Sequence, residues 1–148
     1  MSLQQKVMEQ MKVAMKAKDA VALESLRAIK SALLLESTSG TSTELTEEDE
    51  IRLVQKLVKQ RKDSAAIFTE QGRNDLAEPE LAQIAIIEQF LPEQLTEEEV
   101  EKVVVQTIEA TGASGMKDMG KVMGIVSKEL AGQADGKMIS TIVKKKLV

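Results

Sequence analysis

Apolar residues recur along the chain at spacings of three and four, and no segment alternates between apolar and polar positions as a half-buried strand does. The spacing predicts helices over residues 3–17, 19–36, 46–71, 74–90, 97–110, 117–131 and 136–147. The fourth helix begins at either Asn74 or Glu78, because Pro79 fits the first turn of a helix or kinks its interior. We therefore expect an all-α fold.

Two segments interrupt the series of helices: a polar loop inside the first part of the chain and a proline-containing segment that separates two domains. The loop at residues 37–43 contains only small polar residues and glycine, so it buries no apolar surface and is expected to be mobile. Pro92 stops one helix, and Thr96 with Glu99 is typical of the capping box that starts the next. We predict an N-terminal bundle of about four helices over residues 1–92 and a small three-helix domain over residues 93–148.

The composition excludes several classes of function. The chain has neither cysteine nor histidine, which removes disulfides, thiol nucleophiles, imidazole bases and His/Cys zinc sites. Phe68 and Phe90 are its only aromatic residues, so unpaired bases have almost nothing on which to stack. No apolar run approaches the roughly 20 residues that cross a bilayer. We expect a cytoplasmic protein with no membrane contact, metal or cofactor.

Charge is segregated within the predicted C-terminal domain, although a net charge of -4 argues weakly against a general nucleic-acid binder. Residues 93–110 carry six carboxylates and one lysine, whereas residues 111–148 carry seven lysines and three carboxylates. The basic character is therefore local to the last third of the chain.

The sixth helix has two chemically different sides. Successive residues of a helix are about 100° apart around its axis. On this basis one side of the sixth helix is apolar and carries Met119, Met123, Val126 and Leu130. The opposite side carries three lysines and two glycines, which we call the lysine–glycine face: Lys117, Lys121, Lys128, Gly120 and Gly124. Because glycine costs about 1 kcal/mol relative to alanine inside a helix, two glycines in one short helix indicate that something approaches the backbone closely.

The lysine–glycine face has two interpretations. It binds a polyanion such as an RNA backbone, or its lysines only solvate the surface while its glycines allow tight packing against a neighbouring helix. Lys137, Lys144, Lys145 and Lys146 extend the basic region of the last helix. A lysine cluster at the end of a chain also stabilises the C-terminal end of a helix dipole, so both interpretations apply there as well.

The remaining charged and sulphur-containing groups favour structural roles. Arg61 and Arg27 are expected to be partly buried beside a paired acid. The acids at residues 47–50 and 97–99 lie at helix starts, where capping explains them better than catalysis. The methionines of the first helix, Met8, Met11 and Met15, favour core packing over partner docking. No catalytic residue is assigned.

Several motifs resemble those of the GatB/YqeY family. The most specific is the run at residues 117–124, preceded by 112–114 and followed by 134–137. Residues 91–95 with 97–98 are similar to the interdomain hinge of that family, and residues 61–64 and 73–76 resemble motifs of its first domain. The resemblance spans nearly the whole chain. It implies a helical protein whose C-terminal part is similar to the tail of the B subunit of glutamyl-tRNA amidotransferase, an appendage associated with binding tRNA.

The leading hypothesis is a non-catalytic binding module that docks the tRNA backbone through the lysine–glycine face and the lysines of the last helix. One alternative is an accessory component of glutamine-dependent carbon-nitrogen ligation, the activity associated with the family. Another is a protein adaptor, in which the acidic stretch at residues 93–101 or the methionine-rich helix docks an amidotransferase or an aminoacyl-tRNA synthetase.

Overall fold

The computed structural model describes residues 2–38 and 45–148. All regular secondary structure in these residues is helical, which confirms the all-α prediction. The α-helices are α1 (Leu3–Ala17), α2 (Ala20–Thr38), α3 (Glu47–Glu70), α4 (Asn74–Ile87), α5 (Glu97–Thr111), α6 (Met119–Glu129) and α7 (Gly136–Leu147). Two 3₁₀ turns, Glu88–Phe90 and Met116–Asp118, follow α4 and precede α6.

The chain forms two compact units, Met1–Leu91 and Pro92–Val148. In the N-terminal unit α2 packs on α1 and α4, and α3 packs on α4. The centre of this unit is a cluster of buried aliphatic side chains that includes Val7, Leu26, Ile29, Val54 and Ile87. Residues 39–43 of the loop predicted to be mobile lie outside the described residues, whereas Ser37 and Thr38 form the last turn of α2.

Reciprocal side-chain caps start two helices of the N-terminal unit, and Asp19 caps α2 by accepting from the Ala22 N–H at 3.0 Å. The hydroxyl of Thr46 accepts a hydrogen bond from the Asp49 backbone N–H at 3.1 Å, and the Asp49 carboxylate accepts one from the Thr46 N–H at 3.1 Å. These two bonds lower the pKa of Asp49 below its ordinary value. Ser2 and Gln5 make the same reciprocal pair at the start of α1. The predicted start of the long third helix is therefore confirmed.

Helix α4 decides between the two predicted positions of Pro79, and two other expectations for the N-terminal unit are wrong in part or in full. The helix begins at Asn74, so Pro79 lies inside it and beyond the first turn. Arg61 is partly buried as expected, but its partners are neutral: its Nε donates to Oε1 of Gln83 at 2.8 Å and its Nη1 to the Leu57 carbonyl at 3.0 Å. Arg27 is exposed.

The methionines of α1 also differ from expectation. Met11 packs against the core, but Met8 is 44% exposed and Met15 is 53% exposed. The buried side of α1 is a narrow stripe through Leu3, Val7 and Ala14. At about 100° per residue, Met8 and Met15 lie roughly a quarter of a turn or more away from that stripe, so they remain in solvent.

In the C-terminal unit, α5, α6 and α7 each pack on the other two. Their core is aliphatic, with Val100, Val104, Val122, Val126 and Val143 fully buried. Thr96 caps α5 by accepting from the Glu99 N–H at 3.2 Å. The return bond of the predicted capping box is not among those of the described residues.

Candidate nucleic-acid interface

Helix α6 is held in the C-terminal unit by one apolar side. Val122 and Val126 are fully buried, and Leu130 at the C-cap is 4% exposed. Met119 and Met123 pack against the same core and are partly buried. The predicted apolar side of this helix is confirmed, with Val122 added to it. The rotation of α6 about its axis is therefore set by core packing.

This rotation places the opposite side of α6 in solvent. Lys121, Lys128, Gly120 and Gly124 are all exposed. A Cβ atom built at Gly120 or Gly124 would meet nothing within 4 Å. The described residues therefore do not support the alternative in which these glycines permit tight packing against another helix.

The first lysine of the lysine–glycine face lies outside α6. Lys117 belongs to the 3₁₀ turn Met116–Asp118, and α6 runs only over Met119–Glu129, so the helix predicted at 117–131 starts later and ends earlier. Gly115 has a positive φ of 73°, and the Asp118 carboxylate accepts from the Ser114 N–H at 2.9 Å. These local features replace the first turn of the predicted α-helix. Lys117 remains exposed just before α6.

Helix α7 carries the other four candidate lysines, and three of them are exposed cations. Asp135 caps α7 by accepting from the Lys137 N–H at 2.9 Å, and the Lys137 side chain extends into solvent. Lys144 and Lys145 are exposed in the last turn. Within residues 2–38 and 45–148, no carboxylate pairs with Lys137, Lys144 or Lys145, nor with the three lysines of the lysine–glycine face.

Lys146 differs from the free cation that the sequence suggested. Its Nζ lies 2.5 Å from Oε1 of Glu101 on α5, and its side chain is 32% exposed. Two residues correspond to about 200° around a helix, so Lys146 points away from Lys144 and towards α5. The hydrogen bond and the charge of Lys146 lower the pKa of Glu101 below its ordinary value. The pair links the end of α7 to α5.

The acidic part of the unit lies on α5. Glu97, Glu98 and Glu99 form its first turn, where carboxylates are favourable for the helix dipole. A shallow groove on the outer side of α5 is lined by Glu98, Glu101, Lys102, Val105 and Gln106. Most acidic groups of the unit thus lie on α5 and most lysines on α6 and α7, although α5 also carries Lys102 and α6 ends with Glu129.

Two further properties of the described residues bear on other functions. No helix in residues 2–38 and 45–148 has the length and hydropathy of a membrane span. Over the same residues, no group of three or more acidic side chains is placed so that it could hold a metal ion.

Comparison with known proteins decides the family. The sequence matches the family described as Yqey-like protein over residues 4–147. The chain belongs to this YqeY-like family. The resemblance to the GatB/YqeY family that the sequence motifs indicated is therefore confirmed.

Curated relatives of this YqeY-like chain fall into two groups. It is 36% identical to the E subunit of the glutamyl-tRNA(Gln) amidotransferase of Thermococcus gammatolerans over 104 residues. This match covers 68% of this chain and 17% of that relative. It is 29% identical to the corresponding protein of Thermococcus sibiricus over 110 residues. This match covers 72% of this chain and 18% of that relative. It is 31% identical over 127 residues to the Altered inheritance of mitochondria protein 41, mitochondrial, of Pyrenophora tritici-repentis, covering 84% of this chain and 68% of that protein.

These matches refine the resemblance. The amidotransferase relatives are E subunits, whereas the sequence motifs suggested the tail of a B subunit. The YqeY-like chain spans less than a fifth of the length of either amidotransferase relative.

Sequence reasoning missed two residues near the lysine–glycine face. Ile125 is 39% exposed and Met116 is 48% exposed. Ile125 follows Lys121 by four residues, so the two side chains are neighbours on the helix surface. The sequence could have indicated that Ile125 is exposed, because its position lies outside the apolar side defined by Met119, Met123 and Val126.

Proposed function

We propose that this YqeY-like protein is a non-catalytic tRNA-binding module. The lysine–glycine face docks the ribose-phosphate backbone, and Lys137, Lys144 and Lys145 of α7 add positive charge. Lys146 is left out of this set because it is paired with Glu101. The observation that carries the proposal is the open surface of α6, where unpaired lysines flank backbone that no side chain covers.

The chemistry of these groups suits a polyanion. Each lysine that neutralises a phosphate releases condensed counterions, which favours binding at low salt. Gly120 and Gly124 let a phosphate or a sugar edge approach the helix backbone to a distance that a Cβ would prevent. Without cysteine or histidine the chain lacks thiol nucleophiles and imidazole bases, and its helix-start acids are explained by capping. We therefore assign it binding and no chemical step.

The names of the relatives support tRNA as the polyanion, since two of them are glutamyl-tRNA(Gln) amidotransferase subunits. We further propose that the protein acts beside an amidotransferase or an aminoacyl-tRNA synthetase, with the N-terminal unit as scaffold or second docking surface. A cytoplasmic location is part of this proposal, and one relative carries the word mitochondrial in its name.

Charge reversal tests the proposal. Replacing Lys117, Lys121 and Lys128 with Glu in the full chain is expected to weaken tRNA binding by at least about tenfold near 0.1 M salt. The slope of log K against log salt concentration should fall in magnitude by about 3, because each phosphate-contacting lysine contributes about 1. Fluorescence anisotropy with labelled tRNA over a series of salt concentrations measures both quantities.

A matched variant controls for net charge. Lys12→Glu, Lys56→Glu and Lys59→Glu change the charge by the same amount at exposed positions of the N-terminal unit. This variant should retain most of the wild-type affinity and slope. If both triple variants are folded by circular dichroism and bind tRNA equally, the lysine–glycine face has no special role.

A second candidate function is favoured by the matches to amidotransferase subunits. In it, the protein is an accessory component of glutamine-dependent carbon-nitrogen ligation and contacts the ligase directly. The test is whether an amidotransferase copurifies with the protein. Copurification that nuclease treatment does not abolish, and that the triple lysine variant retains, would favour this candidate over RNA docking.

A further inference from the structure

The C-terminal unit has an unusually limited set of groups with which to recognise RNA. Residues 92–148 contain no arginine, asparagine or histidine. The side chains that make two hydrogen bonds to one base edge are arginine, lysine, asparagine and glutamine, so only lysine and glutamine are available here. Of the three glutamines, Gln94 donates to the Gly132 carbonyl at 2.6 Å, Gln106 lies on α5, and Gln133 follows α6 and is partly buried. The lysine–glycine face therefore has only lysines for this purpose, and a lysine is a flexible point charge that suits a phosphate better than the fixed geometry of a base edge.

The same unit has nothing on which an unpaired base could stack. Residues 92–148 contain no phenylalanine, tyrosine or tryptophan. Both aromatic residues of the chain, Phe68 and Phe90, belong to the N-terminal unit, where they are partly buried. Proteins that bind single strands combine a basic groove with aromatic stacking platforms. Only the charge is present here.

The remaining features suit a rigid, base-paired target. Lys121 and Lys128 are seven residues apart on one helix, which separates them by about 10 Å along its axis. The rise of the helix fixes this backbone spacing, and core packing sets the side on which the two lysines emerge. The minor groove of an A-form RNA helix is wide and shallow and displays 2′-hydroxyls. A helix surface with bare backbone at Gly120 and Gly124, beside the half-exposed Ile125, can lie across such a groove.

We infer that the lysine–glycine face binds base-paired RNA across the minor groove, through ribose and phosphate, without distinguishing base sequence. The inference rests on the proposed function and names its target, the stems of a folded RNA. On this basis the protein does not select one tRNA from another, and any selection belongs to a partner.

Binding of the full chain to four labelled RNAs tests the inference. They are one tRNA transcript, a hairpin with a long stem, the same hairpin with every base pair of the stem exchanged, and an unstructured single strand of equal length. At one fixed salt concentration, the two hairpins should bind within about twofold of each other, since no base contacts distinguish them. The single strand should bind at least about tenfold more weakly than either hairpin, since nothing stacks its bases.

The outcomes separate this inference from the proposed function. A single strand that binds as tightly as the hairpins, or a tenfold difference between the hairpins, would overturn the inference but leave tRNA docking intact. Failure of all four RNAs to bind, or hairpin binding that the Lys117, Lys121 and Lys128 to Glu variant retains in full, would overturn both. Circular dichroism of each variant keeps loss of binding apart from loss of fold.

Discussion

At the scale of single residues, the glycines of α6 are the main support for close approach of a ligand to the helix backbone. Glycine inside a helix is unfavourable by about 1 kcal/mol relative to alanine, and packing gives no reason for it at Gly120 or Gly124. Neither residue has the positive φ that favours glycine. Helix propensity alone would therefore favour alanine at both positions, and close approach of the proposed RNA ligand is the reason that we offer for the glycines.

Substitution of Gly124 should move stability and binding in opposite directions. Gly124→Ala is expected to raise the free energy of unfolding by about 0.5 to 1 kcal/mol, because the helix gains propensity and nothing clashes with the new methyl group. The same change should weaken tRNA binding, and Gly124→Leu should weaken it further as the side chain grows. Urea unfolding and anisotropy titration measure the two effects.

Gly112→Ala serves as the control for stability. Gly112 ends α5 with a positive φ of 65°, where alanine is strained, so this variant should lose about 1 kcal/mol of stability. If Gly124→Ala and Gly124→Leu bind tRNA as tightly as the wild type, close approach to the α6 backbone is not part of the interaction.

At the scale of helices, most of the architecture was predictable from the sequence. The helices at residues 3–17 and 136–147 have the predicted bounds, and the apolar side of α6 follows from periodicity. The 3₁₀ turn at Met116–Asp118 was not predictable from periodicity, because it depends on the hydrogen bond between Asp118 and Ser114.

The ion pair of Lys146 also could not be predicted from the spacing of apolar residues. Its pairing with Glu101 depends on how α7 packs against α5, and a lysine triplet in sequence does not reveal that one member faces another helix. The candidate site could thus be located from the sequence as a set of lysines. Which of them are free could be decided only from the tertiary structure.

The Glu101–Lys146 pair should make the C-terminal unit sensitive to acid. Because folding lowers the pKa of Glu101, the pair stabilises the fold above the ordinary glutamate pKa, and this contribution is lost as the pH falls through the lowered pKa. Glu101→Gln is therefore expected to reduce the melting temperature at neutral pH. The difference from wild type should shrink as the pH falls below about 4.

A double-mutant cycle isolates this pair. Glu101→Gln, Lys146→Gln and the double variant are melted at neutral and acidic pH, and the coupling between the two positions is calculated at each pH. Coupling at neutral pH that disappears in acid supports the pair. Additive effects at neutral pH would show that Lys146 is as free as its neighbours and should return to the proposed binding set.

At the scale of the whole molecule, function is proposed for a local surface and not for the net charge. The chain carries a net charge of -4, and within the C-terminal unit the acids of α5 and the lysines of α6 and α7 occupy different helices. The Debye length is about 8 Å at physiological ionic strength, so exposed charges farther away than this act only weakly at the lysine–glycine face. A net negative charge therefore does not exclude RNA binding at one local surface.

The N-terminal unit has its own core, and Lys12, Lys56 and Lys59 are exposed cations among its described residues. Its charged groups include Arg73, which binds Asp75 through two hydrogen bonds of 3.1 and 3.0 Å, and Lys62, whose Nζ lies 3.6 Å from Glu88. Family membership extends over both units, since the match covers residues 4–147. The role of this unit as scaffold or second docking surface remains part of the proposal.

Lysine footprinting tests the central claim most directly, because it reports on every lysine of the intact protein at once. The chain is acetylated briefly with and without saturating tRNA, and the modification of each lysine is measured by mass spectrometry. We expect tRNA to protect Lys117, Lys121 and Lys128 strongly and to leave Lys56 and Lys59 reactive, while Lys146 reacts slowly in both samples because it is paired with Glu101. Protection confined to the N-terminal unit, with Lys121 and Lys128 fully reactive in the presence of bound tRNA, would contradict docking through α6.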